Sequence, residues 1–569
     1  MTAQTGPTDT AIYDAALSEL AAQKDRWANL PVKDRLKLLR AVKKRTGQVA
    51  EGWAETAARK KGLPEGSPLA SEEWLSGPYG LMRACDALIH TLRHMEGRRY
   101  LRDLPRRYLP NGQLAVQVMP ADIWDRLLLS GITAEVWMAP GVGEATLQAH
   151  TASAYATPEG ARDGKVALVL GAGNIASIAP LDCFHKLFHE HQVVLLKMNP
   201  VNAYLTDYLQ IALKPLIDDG VLRIVQGGGA EGAYLTGHPL VDEIHITGAG
   251  STHDAIVWGP GAEGLAAKAA GQPANPRRVT SELGAVCPTI VVPGPWSAAD
   301  IQFQAEHIAT MKLHNGGFNC VACQVLILPE DWAQKDALVT ATRRVIAANT
   351  RPAYYPGTEE RLEAFAGSGP ADQVPRGTAP ALRIAAHAPA HGRTEVFGPA
   401  MSVKELPGEG EAYLSAAIAF ANDQLDGTLS ANILIHPETI RTLGKRRFDA
   451  LLSELRYGCI AVNAWTGVGF LQATVPWGAF PGHTLQDVQS GIGTVHNAFM
   501  FDRSERTIVR GPWAPFPRAL RVGERSLLPK PPWFITHRNA AKVARGLTRF
   551  AADGKLWRLP GILLNALRS

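Results

Sequence analysis

The sequence predicts an α/β fold, and three observations predict it. Strand-like and helix-like segments alternate through the middle of the 569 residues, the pattern of parallel strand–helix–strand units. Glycine-bearing turns, Gly171-Ala172-Gly173-Asn174 and Gly227-Gly228-Gly229, follow apolar β-branched runs, where a strand turns sharply into the next element. A composition that is 46% hydrophobic and 20% charged gives a chain of this length a large core and room for about two to four domains.

The elements follow in order. Met1 to Thr10 lacks the basic and apolar regions of a secretory leader, so the expected location is cytoplasmic. Ala11 to Met95 shows helical spacing, with Leu36, Leu39 and Val42 on a face between Lys37, Arg40 and Lys43. Leu104 to Ala161 is apolar and broken by proline and glycine, and its strands are left unassigned. Lys165 to Leu170 reads as a strand, as do Val193 to Lys197, Val221 to Val225 and Glu243 to Thr247, with a helix over Ala230 to Leu235. The most apolar stretch, Val166 to Leu181, falls short of the ~20 residues of a membrane span.

Chemistry concentrates at His314-Asn315-Gly316-Gly317-Phe318-Asn319-Cys320-Val321-Ala322-Cys323. A cysteine on a glycine- and asparagine-rich turn before the apolar run Gln324 to Leu328 reads as a nucleophile on a turn leading into a buried strand, or as a small buried apolar residue. Six cysteines are too sparse for a disulfide framework. The Cys320/Cys323 pair lacks a second Cys/His pair for a metal, so none is expected, and it feeds a strand-like run where a thioredoxin-type motif opens a helix. Gly171-Ala172-Gly173-Asn174-Ile175-Ala176 has the text of a dinucleotide fingerprint, but the acidic residue expected about 20 positions on is replaced by Lys197.

Read with Ile246-Thr247-Gly248, Ser281-Glu282-Leu283-Gly284 and Glu395-Val396-Phe397-Gly398-Pro399, the cysteine and Asn174 stretches make the sequence resemble the aldehyde dehydrogenase superfamily over about residues 15 to 510. Trp27-Ala28-Asn29-Leu30-Pro31 with Arg35, and Pro476-Trp477-Gly478-Ala479-Phe480, add to the likeness. The resemblance implies a Rossmann-like NAD(P)-binding domain with the N-terminal helices over residues 1–280, containing an oligomerisation segment at about 105–160. It further implies an α/β catalytic domain over 281–480 and a return and oligomerisation strand over 481–510, with a basic extension, 511–569, outside the likeness. It implies Cys320 as nucleophile, Glu282 as general base and Asn174 as oxyanion donor. Lys197, Thr247, Gly248, Glu395 and Phe397 are implied as contacts of NAD or NADP. A homo-oligomer, dimer or tetramer, is implied as well.

Such residues suit oxidation of an aldehyde to its acid. A thiolate makes the tetrahedral carbon from which hydride leaves, donors at Asn174 and the Cys320 N–H hold the oxyanion, and Glu282 activates water on the thioester. Read without the likeness, Glu282 is a capping or solvated glutamate and Glu395 part of a surface turn. Trp465, Phe470, Trp477 and Phe480 point to a hydrophobic or aromatic aldehyde, or else belong to the core. Pro200 stands where NAD-preferring relatives often carry glutamate, so NADP should be used beside NAD. A CoA-acylating enzyme, which commonly lacks a base at Glu282, and a noncatalytic protein of the same fold are the alternatives.

Residues 503–569 hold fourteen of the 58 Lys/Arg and three of the 53 Asp/Glu, net +11, leaving −6 for the rest. No nucleic-acid motif accompanies this charge, and no nucleic-acid partner is expected. The proline-rich segments Arg510 to Pro517 and Pro529 to Trp533 should run extended, and Asn539 to Ala552 should be helical. The expected resting place is an acidic protein surface, with a peripheral membrane contact as the other destination.

Overall fold

The computed structural model describes residues 10–569. The leader reading of Met1 to Thr10 lies almost wholly outside the described residues. Helices Ala11–Ala28 and Val32–Lys60 are the first described elements, and Arg35 explains their elbow. Its buried guanidinium lies 4.3 Å over the Trp27 ring and donates to the carbonyls of Trp27, Ala28, Leu30 and Leu187. The bonds to Trp27 and Ala28 reach carbonyls in the last turn of the first helix, and the bond to Leu187 ties the elbow to the segment His185–His189.

Three antiparallel strands follow: β1 (Arg106–Tyr108), β2 (Leu114–Met119) and β3 (Thr133–Met138). Then come β4 (Val166–Leu170), β5 (Val193–Lys197), β6 (Leu222–Val225), β7 (Glu243–Gly248) and β8 (Arg278–Leu283), which form a parallel sheet in the order β8-β7-β4-β5-β6. Residues Gly491–Ile492 add a short antiparallel edge to β8. The central strands β4 and β5 are near-continuous apolar runs because both faces are covered, and the strand order reverses at β4, so a crevice opens at the carboxyl ends of β4 and β7.

A second sheet holds β9 (Cys287–Val292), β10 (Cys323–Pro329), β11 (Ala371–Arg376), β12 (Ala379–Ala386), β13 (Ala400–Leu406), β14 (Ser430–Ile435) and β15 (Cys459–Val462). With β1 to β3 and the strand Ser504–Arg510 it reaches eleven strands. Ser504–Arg510 runs parallel to β15 and antiparallel to β3. The segment that the likeness casts as an oligomerisation element therefore supplies the edge of the chain's own sheet.

The extension packs on the same chain. Trp513 is fully buried, meeting Trp296 at 4.8 Å between ring centroids, and Gln304 donates to its carbonyl. Helix Ala540–Asp553 lies on Val32–Lys60, where Glu51 pairs with Arg545 and Arg549. Gly47 permits the approach, because a Cβ there would stand 2.9 Å from the Ala552 Cβ. No helix among the described residues is long and apolar enough to cross a membrane.

Candidate active site

A cleft of about 390 Å³ lies between the two sheets, lined by Asn174, Lys197, Thr247, Gly248, Glu282, Cys320, Glu395 and Phe397. All eight expected site residues thus meet at one place, although 223 positions separate the first from the last. Five of them follow from the first sheet, where Asn174 lies in the loop after β4, Lys197 ends β5, Thr247 and Gly248 end β7, and Glu282 lies at the end of β8. Cys320 comes on the turn between helix Ala298–Leu313 and β10, and Glu395 and Phe397 on the loop before β13.

The turn before Cys320 is left-handed at Asn315, Gly316 and Gly317, with φ of 54°, 71° and 87°. Gly317 is required for a second reason, since a Cβ would stand 2.9 Å from the Gly398 carbonyl. The half-buried Cys320 thiol donates to Glu282 Oε1 at 3.2 Å. Burial, then the charges of Glu282 and Glu395, push the thiol well above its ordinary value. Glu282, 2% exposed, is pushed up to about 7 by burial and by the buried Asp182 carboxylate. The resting pair is a protonated thiol against a carboxyl that titrates near neutrality, as a proton acceptor requires.

Asn174 donates one side-chain N–H to the Phe318 carbonyl at 3.0 Å, leaving its second N–H for a ligand oxygen. Its own carbonyl accepts from Lys61 Nζ at 2.8 Å and the Tyr354 hydroxyl at 3.0 Å. Behind it is a buried ionic cluster invisible to motif reading. Lys61 pairs with Glu73 at 3.0 Å, Arg351 with Glu72 at 2.5 Å, and Glu72 accepts the Asn315 N–H at 2.9 Å. Burial raises Glu72 to about 7, whereas Lys61 and Arg351 hold Glu73 low against the burial that opposes them. The cluster ties the asparagine loop to the cysteine turn.

At the other end, Lys197 is lowered by burial and held up by the charge of Glu231. Helix Gly229–Gly237 comes so close that a Cβ at Gly232 would stand 4.0 Å from Lys197 Nζ. Pro200 opens a short 3₁₀ turn capped by Asn199, so the acid nearest Lys197 comes from another element, which sequence spacing does not reveal. The Thr247 hydroxyl donates to Asp182 at 2.9 Å and is spent inside the fold. Burial raises Glu395 to about 8, its Oε1 is buried without a hydrogen-bond partner among the described residues, and Gly284 makes room for it because any Cβ there would overlap the carboxylate. Phe397, at φ 41°, meets Tyr355 edge-on at 5.0 Å. Tyr355 and Arg361 line the cleft too and belong to no motif.

A second, apolar cavity adjoins Cys320, and Trp465, Phe470 and Trp477 line it. Phe480 does not. Pro476–Trp477 pairs with Val495–His496, and the chain then passes Gly478 and carries Phe480 away under the Arg506 guanidinium, 4.7 Å from its ring. The aromatic set expected from sequence therefore loses that member.

Comparison with known proteins agrees with this architecture. Residues 193–353 match the sequence model of the aldehyde dehydrogenase family. A 319-residue stretch is 26% identical to N-succinylglutamate 5-semialdehyde dehydrogenase of Sphingopyxis alaskensis, covering 56% of this chain and about half, 52%, of that relative. Among solved structures, the fold is similar to indole-3-acetaldehyde dehydrogenase AldA of P. syringae in complex with NAD+, with TM-score 0.59, 19% identity and coverage of 89% of each chain. It is also similar to an aldehyde dehydrogenase of Mycobacterium tuberculosis complexed with NAD+, with TM-score 0.59, 17% identity and 87% and 88% coverage. At these identities the likeness carries the fold.

Proposed function

We propose, from the premise that this chain has the aldehyde dehydrogenase fold and matches that family's sequence over residues 193–353, that it oxidises an apolar aldehyde to the carboxylic acid with NAD or NADP. One observation carries the reading: the Cys320 thiol hydrogen-bonded to Glu282, in a cleft that also holds Asn174 and Lys197.

The cleft suits a dinucleotide. Gly171 and Gly173 let backbone approach, Lys197 offers a cation, and the unpartnered Glu395 Oε1 is an acceptor for ribose hydroxyls. A bound nicotinamide supplies the acceptor for the substrate's hydride. In this reading Glu282 takes the thiol proton as Cys320 attacks the aldehyde carbon, and the second Asn174 N–H faces the oxygen on which charge develops. Loss of hydride leaves a thioester on Cys320. After Glu282 has released its proton through the cleft, it accepts one from the water that attacks the thioester, and the acid departs.

A panel of aliphatic and aromatic aldehydes with NAD and NADP, with and without CoA, tests this. Cys320-dependent NAD(P)H and acid formed without CoA are expected. Turnover only with CoA would make the enzyme acylating, and no reduction in a single turnover with any aldehyde would leave a noncatalytic member of the fold.

A further inference from the structure

The apolar cavity beside Cys320 has about 40 Å³ of space, and one of its walls is Trp533 of the C-terminal extension. A smaller cavity of about 20 Å³ lies under the extension's prolines, between Pro512, Pro515 and Pro531. Among the described residues only Trp465 and Trp533 line both, so these two indoles form the partition between them.

Trp533 is held there by its neighbours. It is 7% exposed, and Phe534 beside it stacks on His307 at 5.0 Å and on Phe303 at 5.2 Å. The following residues clip onto helix Ala298–Leu313, the helix that leads to Cys320. The Ile535 N–H donates to Thr310 at 3.2 Å, the Thr536 hydroxyl to Glu306 at 2.7 Å, and Lys530 pairs with Glu306 at 2.8 Å. Residues 529–537 are thus a strap fixed to the nucleophile's own helix on both sides of the indole.

We infer that Trp533 is a specificity-determining residue of the aldehyde pocket, closing with Trp465 its far end and so restricting the acyl chain to a short apolar group. The inference rests on the aldehyde-oxidising reading above. The size follows from the cavity: about 40 Å³ is roughly three water-sized volumes, whereas an apolar cavity that admits benzene measures about 150 Å³. A short aliphatic chain fits, and a long chain or an aromatic ring requires the indole to leave. Removing the indole joins the two cavities into one tunnel beneath the extension.

The test compares W533A and W533F with the unaltered enzyme on propanal and octanal. The expected result is that the octanal-to-propanal ratio of kcat/KM rises at least tenfold in W533A, equivalent to about 1.4 kcal/mol, and at least threefold in W533F. W533F keeps an aromatic in the strap and carries the test if near-ultraviolet dichroism finds W533A unfolded. A ratio within twofold of the unaltered enzyme in every folded variant overturns the inference. A second readout needs no turnover: alkylation of the Cys320 thiol by iodoacetamide and by N-octyl iodoacetamide, followed by peptide mass. The same shift toward the octyl reagent is expected, and its absence overturns the inference. Failure of every aldehyde to reduce cofactor, beside a shifted alkylation ratio, would instead refute the dehydrogenase reading and leave the role of Trp533 as pocket wall intact.

Discussion

Glu282→Gln separates the two halves of the proposed reaction. The carboxylate is 2% exposed, accepts the Cys320 thiol at 3.2 Å and titrates at about 7. Glutamine keeps the shape and still offers an oxygen to the thiol, but it takes no proton. A general base contributes about 10²–10⁴ in rate, so steady-state turnover should fall by that factor, or by roughly 3–5 kcal/mol of transition-state stabilisation. Acylation has another route, because the thiol also loses its proton to solvent as pH rises. Stopped-flow absorbance should therefore record a burst of NAD(P)H near one equivalent per site, slower than normal at pH 7 and faster at pH 9, followed by slow release. The unaltered enzyme should gain activity as pH rises through about 7, because Glu282 is the active base only when ionised, and the variant should lose that limb. Equal loss of burst and steady state at every pH, or a limb near 7 that survives, would refute the assignment.

Cys320→Ala should abolish turnover while cofactor binding, measured by fluorescence titration, stays nearly intact; Cys323→Ala, at the buried first residue of β10, should be mild. NADP should be used at a measurable rate, and Glu231→Gln should raise the NADP-to-NAD ratio of kcat/KM by roughly tenfold, or 1.4 kcal/mol, by removing the acid beside Lys197; an unchanged ratio would clear Glu231. Lys61→Met should destabilise the fold by about 3–5 kcal/mol in urea titration, because it leaves Glu73 buried without its lysine, and should lower kcat by loosening the Asn174 loop. Truncation after Arg510 should lower the melting temperature, since Trp513, Trp533 and Phe534 would leave the core exposed; an equally stable truncated chain that had lost liposome binding would transfer the extension to a membrane role.

What the sequence discloses about this site follows a physical division. Cys320, Glu282 and Asn174 stand in stretches whose glycines and turn residues are dictated locally, by a left-handed turn at Gly316 and Gly317 and by carboxylate room at Gly284, so text and structure coincide. The strands β4 and β5 are legible because both faces are buried and the run is apolar up to the site residue Lys197, whereas β7 carries Glu243, His245 and Thr247 and is read from its alternation with the helices. The cluster of Lys61, Glu72, Glu73 and Arg351 is not legible, since a charged residue on a helix reads as solvated until its partner, 278 positions away for Glu73 and Arg351, is known. Phe480 misleads for the opposite reason: its neighbour Trp477 faces the thiol, but the glycine between them turns the chain, and proximity in sequence does not survive a tight turn.

The extension joins these two kinds of information. Its helix Ala540–Asp553 is open to periodicity, but its partner surface is not, and the prolines do not run extended as their composition predicts: the fixed φ of proline serves turns here, with the Phe534 N–H bonding the Pro531 carbonyl at 3.0 Å and Pro517 capping helix Arg518–Arg521. Fourteen basic residues in the last 67 positions favour an anionic surface without choosing between bilayer and protein. Packing decides part of it: Arg545 and Arg549 meet Glu51, Lys530 meets Glu306, and Trp513, Trp533 and Phe534 are buried on the chain's own body. Leu556, Trp557, Leu564 and Leu567 stay between 50% and 69% exposed beyond that clamp. A surface that was only an anchor would leave the Cys320 pocket untouched, whereas here the same segment lends that pocket an indole, so under the proposed role of Trp533 stability and substrate size would be coupled through residues 529–537.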